Sequence, residues 1–205
     1  METEEIKRIA VIGAGLMGHG IAQEFALADY DVRLVSRSEA SLRRALQSIR
    51  DNLDSLIGFG LVSRERAQAV PGRIHTTTGL EDATENADVV IESVYENLKL
   101  KQEIFQQLDK ICPEHTILAS NTSSLMPSAL ASRARRRDRI LVAHYINPPY
   151  LIPFVEIVRG PETSDATVMA MSGLLTKMGK RPIIVQRETP GFVAGRLQGA
   201  LLREA

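Results

Sequence analysis

The stretch IAVIGAGLMG, residues 9–18, joins a short apolar run to three glycines spaced Gly-x-Gly-x-x-Gly. The four apolar residues 9–12 are typical of a buried strand. Behind the first two glycines, Met17, Ile21 and Phe25 repeat at four-residue spacing, which predicts one apolar face of a helix. The stretch therefore predicts a strand, a glycine-rich turn and a helix, the unit that decides the fold of this chain.

Each glycine of the turn has its own physical role in a dinucleotide-binding unit. Gly13 permits the tight turn, Gly15 lets the backbone approach a pyrophosphate, and Gly18 lets the helix pack closely on the strand. The helix start, at Leu16 and Met17, directs free amide groups and the positive end of the helix dipole toward the phosphates. A glycine turn without a ligand has the same spacing, but the strand–turn–helix context favours a nucleotide site.

Further apolar runs alternate with segments of helical period along most of the chain. The further predicted strands cover residues 31–35, 87–92, 116–119, 140–143, 154–158 and 182–185. Between them lie predicted amphipathic helices, and Asn97 and Ser164 are placed to cap two of these. Strands that alternate with helices are connected by right-handed crossovers. We therefore expect an α/β fold, a Rossmann-like, doubly wound, mostly parallel sheet with helices on both faces.

A new apolar, helix-prone segment begins after Thr189-Pro190-Gly191. Its residues Leu197, Leu201 and Leu202 have no visible partner, so two interpretations stay open: the opening helix of a second, all-α domain, or a dimer contact. We divide the chain accordingly into a dinucleotide-binding domain, residues 1–187, and the first helix of a truncated helical substrate or dimerisation domain, residues 188–205.

Composition restricts the class of protein. The 205 residues contain 25 Lys and Arg against 25 Asp and Glu, a balance that argues against a nucleic-acid or membrane-surface binder. The single cysteine, Cys112, suits a reducing compartment, and the acidic start Met-Glu-Thr-Glu-Glu does not resemble a signal peptide. We therefore expect a cytoplasmic protein. No His or Cys pair has metal-ligand spacing, so we expect no metal site.

The end of the second predicted strand should contact the adenosine ribose. An acidic residue there binds both ribose hydroxyls and repels a 2′-phosphate, but this chain has Ser36 and Arg37. A hydroxyl followed by a guanidinium suits a 2′-phosphate. The pair thus favours NADP over NAD. In the alternative interpretation the cofactor is NAD and Arg37 is a solvated arginine that stacks on adenine.

Polar side chains follow two of the predicted strands where ligands bind in open parallel sheets, at the carboxyl ends. One strand leads into residues 120–124, and another into His144 and Asn147. The prolines that follow stiffen a chain reversal. The next strand would then bring Glu156 back beside His144. A carboxylate bonded to one imidazole nitrogen fixes the tautomer and stabilises the cation formed at the other, so we predict a catalytic pair.

Taken together, these residues resemble the 3-hydroxyacyl-CoA dehydrogenase family over essentially the whole chain. The segments that carry the resemblance are residues 13–18, 96–101, 120–124, 144–156 and 190–192. The family implies an oxidoreductase of fatty acid metabolism, with a nucleotide-binding domain followed by a helical dimerisation domain that begins near Pro190. We therefore expect a homodimer when the helical domain is present.

The resemblance also implies a role for individual residues. His144 matches the general base that removes the hydroxyl proton as hydride passes to the nicotinamide, and Glu156 matches its orienting partner. Ser123 and Asn147 match positions that hold the substrate oxygen and the nicotinamide side of the site. The remaining matched positions lie near the cofactor: Glu96, Lys101 and Asn121. The expected reaction oxidises a 3-hydroxyacyl-CoA, or a 3-hydroxy acid, with NAD or NADP.

Three departures from the family pattern bear on cofactor and substrate. Ser36 replaces the usual acidic ribose residue, and Gly195 precedes Arg196 where the family commonly has asparagine. Residues 147–153, Asn-Pro-Pro-Tyr-Leu-Ile-Pro, resemble relatives that act on free hydroxy acids, such as L-gulonate 3-dehydrogenase and lambda-crystallin. Two alternatives follow: a sugar-acid dehydrogenase of the L-gulonate type, and a nucleotide-binding scaffold with little catalysis.

Other polar residues receive less specific predictions. The arginine-rich residues 133–137 are interpreted as a solvated turn, with contact to coenzyme A phosphates as the alternative. His19, His75 and His115 have no partner pattern and are expected at the surface. Cys112 is expected to be a buried or edge thiol without a nucleophilic role.

Overall fold

The computed structural model describes residues 3–205; Met1 and Glu2, part of the acidic start, lie outside the described residues. The strands are β1 Arg8–Ile12, β2 Asp31–Val35, β3 Ile74–Thr77, β4 Val89–Glu92, β5 Ile117–Ser120, β6 Ile140–Tyr145, β7 Phe154–Arg159 and β8 Arg181–Val185. The α-helices are α1 Leu16–Leu27, α2 Glu39–Gly58, α3 Arg64–Ala69, α4 Leu80–Thr84, α5 Leu98–Ile111, α6 Pro127–Leu130, α7 Asp165–Lys177 and α8 Ala194–Glu204. Short 3-10 turns cover Thr3–Glu5, Val70–Arg73, Ala131–Arg133 and Arg137–Arg139.

The eight strands form one sheet in the order β3-β2-β1-β4-β5-β6-β7-β8. All neighbouring pairs are parallel except β6 and β7, which are antiparallel. The chain order reverses between β1 and β4, and such a switch point is where doubly wound sheets bind ligands. The predicted Rossmann-like fold is confirmed.

Helices cover the two faces of the sheet and bury two apolar layers. On one face β1 and β4 pack against α1, α2 and α7, around residues such as Ile21, Phe25 and Leu174. On the other face the same sheet packs against α4, through Ala83, and against α5, through Phe105 and Leu108. The strands are buried from both sides, which explains why most of them read as continuous apolar runs.

The cap predictions for two helices are confirmed. The Asn97 side chain accepts a hydrogen bond from the Leu100 amide at 2.9 Å, and that of Ser164 from the Thr167 amide at 3.2 Å. Side-chain oxygens at these positions satisfy amide groups that have no partner inside the helix. Ser38 caps α2 in the same way.

Strand β3 was missed by the sequence pattern. Its segment Ile-His-Thr-Thr contains one apolar residue, and only Ile74 is buried. The strand lies at the sheet edge, paired with β2 alone, so one buried side chain is sufficient there. No helix among residues 3–205 is both long and apolar enough to cross a membrane.

Candidate active site

The site is built at the carboxyl edge of the sheet, where β1, β4 and β5 end side by side and β6 continues to Tyr145. The register aligns Ile12 of β1, Glu92 of β4, Ser120 of β5 and Val142 of β6. The segments after these strands contact one another: the Asn121 amide group donates to Ser93 Oγ at 3.3 Å, and its oxygen accepts from the Tyr145 amide at 2.9 Å. The glycine turn, the segment after β4, the serine-rich loop and His144 therefore share one edge.

The glycine turn has the geometry that its spacing predicted. Gly13 adopts φ 103°, and a Cβ there would lie 2.4 Å from the carbonyl oxygen of Ser93. A Cβ on Gly18 would lie 1.7 Å from the Gly13 carbonyl oxygen, so helix and turn approach too closely for any side chain. At Gly15, in contrast, a Cβ would meet nothing within 4 Å. The backbone at Gly15 is therefore open to a ligand.

Helix α1 begins immediately after this open position. Gly15 is its N-cap and supplies no side-chain hydrogen bond, and Leu16 and Met17 are its first two residues. Amide groups in a first turn have no partner inside the helix and attract anions. The residues present thus fit the pyrophosphate of a dinucleotide.

The two residues expected at the adenosine ribose follow β2 as predicted. The Ser36 amide donates to the Thr77 carbonyl at 3.3 Å, and its side chain is half-buried. The Arg37 side chain is exposed and has no hydrogen bond to another described residue. Both side chains are accessible to a ligand at the end of β2.

The structure brings the predicted catalytic pair together. His144 on β6 pairs with Glu156 on β7 across the antiparallel ladder, and His144 Nδ1 lies 2.7 Å from Glu156 Oε2. The glutamate side chain is fully buried, and that of the histidine is 13% exposed. Because Nδ1 is engaged, Nε2 is the nitrogen left for a substrate, and it has no hydrogen-bond partner among residues 3–205.

The other oxygen of Glu156 binds the start of α8, a contact that the sequence did not predict. Glu156 Oε1 accepts hydrogen bonds from the amides of Val193 at 2.7 Å and Ala194 at 2.9 Å. Phe192 is fully buried, and the centroid of its ring lies 5.8 Å from the centroid of the His144 imidazole. The segment before α8 therefore packs directly on the histidine–glutamate pair.

Ser123 and Asn147 are exposed at the same edge, without a hydrogen bond to another described residue. Ser123 lies in the loop after β5, between two residues whose hydroxyls bind the Glu96 carboxylate: Thr122, and Ser124 at 3.0 Å. Asn147 follows β6 and precedes the proline turn. The loop of Ser123 is thus fixed by its neighbours, while the Ser123 side chain is available to a substrate.

Glu96 and Lys101 occupy different depths of the site. Glu96 is 41% exposed, but the ammonium group of Lys101 is buried, 2.7 Å from Glu92 and 3.4 Å from Glu96. Burial would raise the pKa of Glu96, but the Thr122 hydrogen bond, the Lys101 charge and the Ser124 hydrogen bond together outweigh it and lower the pKa. Glu96 is accessible to a cofactor, whereas Lys101 is buried behind it. A direct contact between Lys101 and the cofactor stays a prediction.

The surface prediction for His19 is wrong. Its ring is buried between α1 and α2, with Nδ1 2.8 Å from the Gly15 carbonyl oxygen and Nε2 3.2 Å from the Asn52 side-chain amide. Asn52 also accepts from the Tyr150 hydroxyl at 3.0 Å. A polar residue two positions before Ile21 gave no sign that a second helix would cover it. His75 is exposed as predicted, whereas His115 is half-buried, with 44% of its side chain exposed and its Nε2 3.3 Å from Asp88 Oδ1.

The arginine-rich turn is only partly solvated: Arg133 and Arg135 are exposed, but Arg136 and Arg137 are half-buried and hydrogen-bonded. Arg136 binds the Asp109 carboxylate at 3.0 Å and backbone carbonyls at the end of α5, so it closes that helix. Cys112 is buried as expected, and burial raises the pKa of its thiol to about 11. Over residues 3–205, no three His, Cys, Asp or Glu side chains are grouped so that they could hold a metal ion.

Fold and site together define a dinucleotide-binding domain of the dehydrogenase type. The family model described as 3-hydroxyacyl-CoA dehydrogenase, NAD binding domain, matches residues 8–189. The chain belongs to this family, and its cofactor is a nicotinamide dinucleotide.

Individual relatives agree with this assignment. A probable 3-hydroxybutyryl-CoA dehydrogenase from Bacillus subtilis is 40% identical over 201 residues, 98% of this chain and 69% of that protein. A lambda-crystallin homolog from Bos taurus is 40% identical over 198 residues, 96% of this chain and 62% of that protein. The crystal structure of (S)-3-hydroxybutyryl-CoA dehydrogenase from Ralstonia eutropha superposes with a TM-score of 0.93 at 36% identity, covering 98% of this chain and 70% of that one. The chain thus spans about two thirds of the length of such relatives.

Proposed function

We propose that this protein is an oxidoreductase that transfers hydride between a 3-hydroxyacyl-CoA and a nicotinamide cofactor. The observation that carries the proposal is the His144–Glu156 pair, 2.7 Å apart and beside the loops that surround the open glycine turn. The names of the Bacillus subtilis and Ralstonia eutropha relatives support the substrate class.

In the proposed reaction His144 is the general base. Its Nδ1–H donates to Glu156, so Nε2 is free to accept the hydroxyl proton of a secondary alcohol. The buried carboxylate then stabilises the imidazolium that forms. A bound nicotinamide supplies the hydride acceptor. Ser123 and Asn147, both exposed, are proposed to hold the substrate oxygen and the nicotinamide side of the site.

For the cofactor we propose NADP in preference to NAD. The support is Arg37, an exposed guanidinium without a partner in the described residues, beside the Ser36 hydroxyl. Both groups suit a 2′-phosphate, and the carboxylate that would repel it is missing from this position.

A free hydroxy acid is the second candidate substrate. The proline-rich turn that includes Pro148, Pro149 and Tyr150 favours it through the resemblance to the L-gulonate type, as does the bovine lambda-crystallin homolog at 40% identity. A nucleotide-binding scaffold with little catalysis is the remaining alternative. Turnover measured with 3-hydroxybutyryl-CoA and with a free 3-hydroxy acid distinguishes the three.

We also propose that α8 is the first helix of a helical domain and that the protein forms a homodimer when that domain is present. The support is the exposure of Leu197, Leu201 and Leu202, at 62%, 72% and 71%. Unpartnered leucines on one helix are typical of a surface that is covered in the assembled protein. A cytoplasmic location stays a prediction.

His144→Gln tests the catalytic assignment. Glutamine keeps hydrogen-bonding capacity but cannot act as a base near neutral pH, so we expect turnover to fall at least about 100-fold. Binding of NADPH and NADH, followed by nicotinamide fluorescence, should stay within about twofold of wild type, because the glycine turn is untouched.

His75→Gln is the matched control, since His75 is an exposed histidine on the edge strand β3 and should not affect turnover. Turnover that survives His144→Gln would contradict the proposal. Cofactor binding without turnover on any substrate, in wild type, would favour the scaffold.

A further inference from the structure

Glu92 is a buried carboxylate at the carboxyl end of β4, directly beneath the candidate site. It is fully buried, and three groups donate to it. Its Oε1 accepts from the Val94 amide at 2.7 Å and from the Lys101 ammonium at 2.7 Å. Its Oε2 accepts from the Ser120 hydroxyl at 2.6 Å. Glu92 thus connects three elements: the segment after β4, helix α5 and the end of β5.

A buried ion pair of this kind is poor evidence for a purely stabilising role. The cost of removing both charges from water often exceeds their attraction, and apolar residues of similar volume are then as stable or more stable. The neighbouring strand residues Val89, Val90 and Ile91 are apolar and fully buried, so an apolar residue at position 92 would suit the strand pattern. The presence of a carboxylate at this position is therefore better explained by a role in the candidate site above it.

That surface contains Glu96, which is joined to Glu92 by the ammonium group of Lys101. The ammonium lies 2.7 Å from the lower carboxylate and 3.4 Å from the upper one. The other oxygen of Glu96 accepts from the hydroxyls of Thr122 and Ser124, in the serine-rich loop. Glu96 is therefore held between a buried cation and a loop of the site, with 41% of its side chain exposed.

We propose that Glu92 is a positioning residue of the cofactor site. Glu92 binds the Lys101 ammonium from the buried side and so fixes its position. Glu96 can then form an ion pair with the same ammonium without moving toward the interior. The Glu96 carboxylate then stays at the surface, where it can accept hydrogen bonds from cofactor hydroxyl or amide groups. The inference rests on the proposed nicotinamide-dependent function, and it assigns a role to a residue that would not touch the cofactor.

Glu92→Gln tests the proposal because glutamine keeps the shape but removes the charge. Lys101 is then left with Glu96 as its one carboxylate partner and should draw it inward. We expect the Kd of NADPH or NADH, whichever wild type binds more tightly, to rise about tenfold, with the KM of substrate unchanged. Glu92→Asp, which restores the charge at a shorter reach, should recover part of the affinity, and it carries the test if the glutamine variant does not fold.

Asp88→Asn is the matched control. Asp88 immediately precedes the same strand, its side chain is 6% exposed and binds Arg8, and it lies at the amino edge away from the site. It should lower the melting temperature and leave cofactor affinity unchanged. Equal cofactor affinity in wild type and Glu92→Gln would overturn the positioning role alone. Wild type that binds neither nucleotide would overturn the proposed function, and with it this inference.

Discussion

Glu156 receives three hydrogen bonds at the candidate site, from His144 and from the backbone amides of Val193 and Ala194. These three contacts occupy both carboxylate oxygens, Oε2 by the imidazole and Oε1 by the two amides, and so fix the orientation of the Glu156 side chain. The imidazole is thus oriented by an anion whose own position depends on the segment before α8. A displacement of that segment would therefore shift Nε2 of His144 through the Glu156 side chain.

Ser36→Asp should move cofactor preference from NADP toward NAD. A carboxylate at this position accepts the ribose hydroxyls and repels a 2′-phosphate. We expect the ratio of Kd for NADPH to Kd for NADH to rise at least about tenfold, measured by fluorescence titration.

The control for this substitution is Ser38→Asp. It introduces the same charge two residues away, at the N-cap of α2, where aspartate serves as well as serine. Unchanged NADPH preference in Ser36→Asp would mean that neither Ser36 nor its neighbour Arg37 contacts the ribose end.

At the residue scale, the sequence predicted the contacts that depend on near neighbours or on a chain reversal. The glycine turn is local, and the pairing of His144 with Glu156 followed from a strand that returns beside another. Glu92 and His19 were not predicted. Their partners, Lys101 and Asn52, come from helices that pack over them, and one-dimensional patterns do not contain that packing.

Among the helices, those with a long apolar stripe were predicted, and short ones were not. Helix α7 has such a stripe, the buried residues Val168, Met171, Leu174 and Leu175, and the cap Ser164. Strand β3 and the short helices α3, α4 and α6 bury one or two residues each, too few to produce a period.

Ser164→Ala should lower the free energy of unfolding by about 1 kcal/mol. The serine accepts from the Thr167 amide, and alanine leaves that amide without a partner. Urea unfolding at neutral pH measures the change. Ser172→Ala, in the middle of the same helix, is the matched control: it removes no cap and should leave stability equal or slightly higher. Equal effects of the two variants would argue against a capping contribution.

On the scale of the whole molecule, strand β4 joins two charged clusters with different consequences. Glu92 lies at its carboxyl end under the candidate site. At the opposite edge Asp88 accepts hydrogen bonds from the amides of Lys7 and Arg8, at 2.9 and 2.8 Å, and joins the start of β1 to the start of β4. One edge of the sheet thus carries the candidate site, and at the other edge a carboxylate holds the central strands together.

The contacts of Asp88 at the amino edge of the sheet predict how the stability of the protein responds to acid. Burial would raise the pKa of Asp88, but the hydrogen bonds from Lys7, Arg8 and His115 outweigh burial and lower the pKa below its ordinary value. A carboxyl group with a lowered folded-state pKa stabilises the protein above its unfolded-state pKa, about 3.9. This stabilisation is lost as the pH falls through the folded-state pKa.

Asp88→Asn should therefore lower the free energy of unfolding at neutral pH by about 1–3 kcal/mol, since charged hydrogen bonds are lost. It should also lose less stability than wild type between about pH 4 and the folded-state pKa, because the variant has no carboxylate to protonate there. Urea unfolding across this range measures both effects. Asp54→Asn, an exposed position without a hydrogen bond to another described residue, controls for the change in net charge. If the acid dependence of Asp88→Asn equals that of wild type, the central strands are not held by this carboxylate, and the acid sensitivity of the fold has its origin elsewhere.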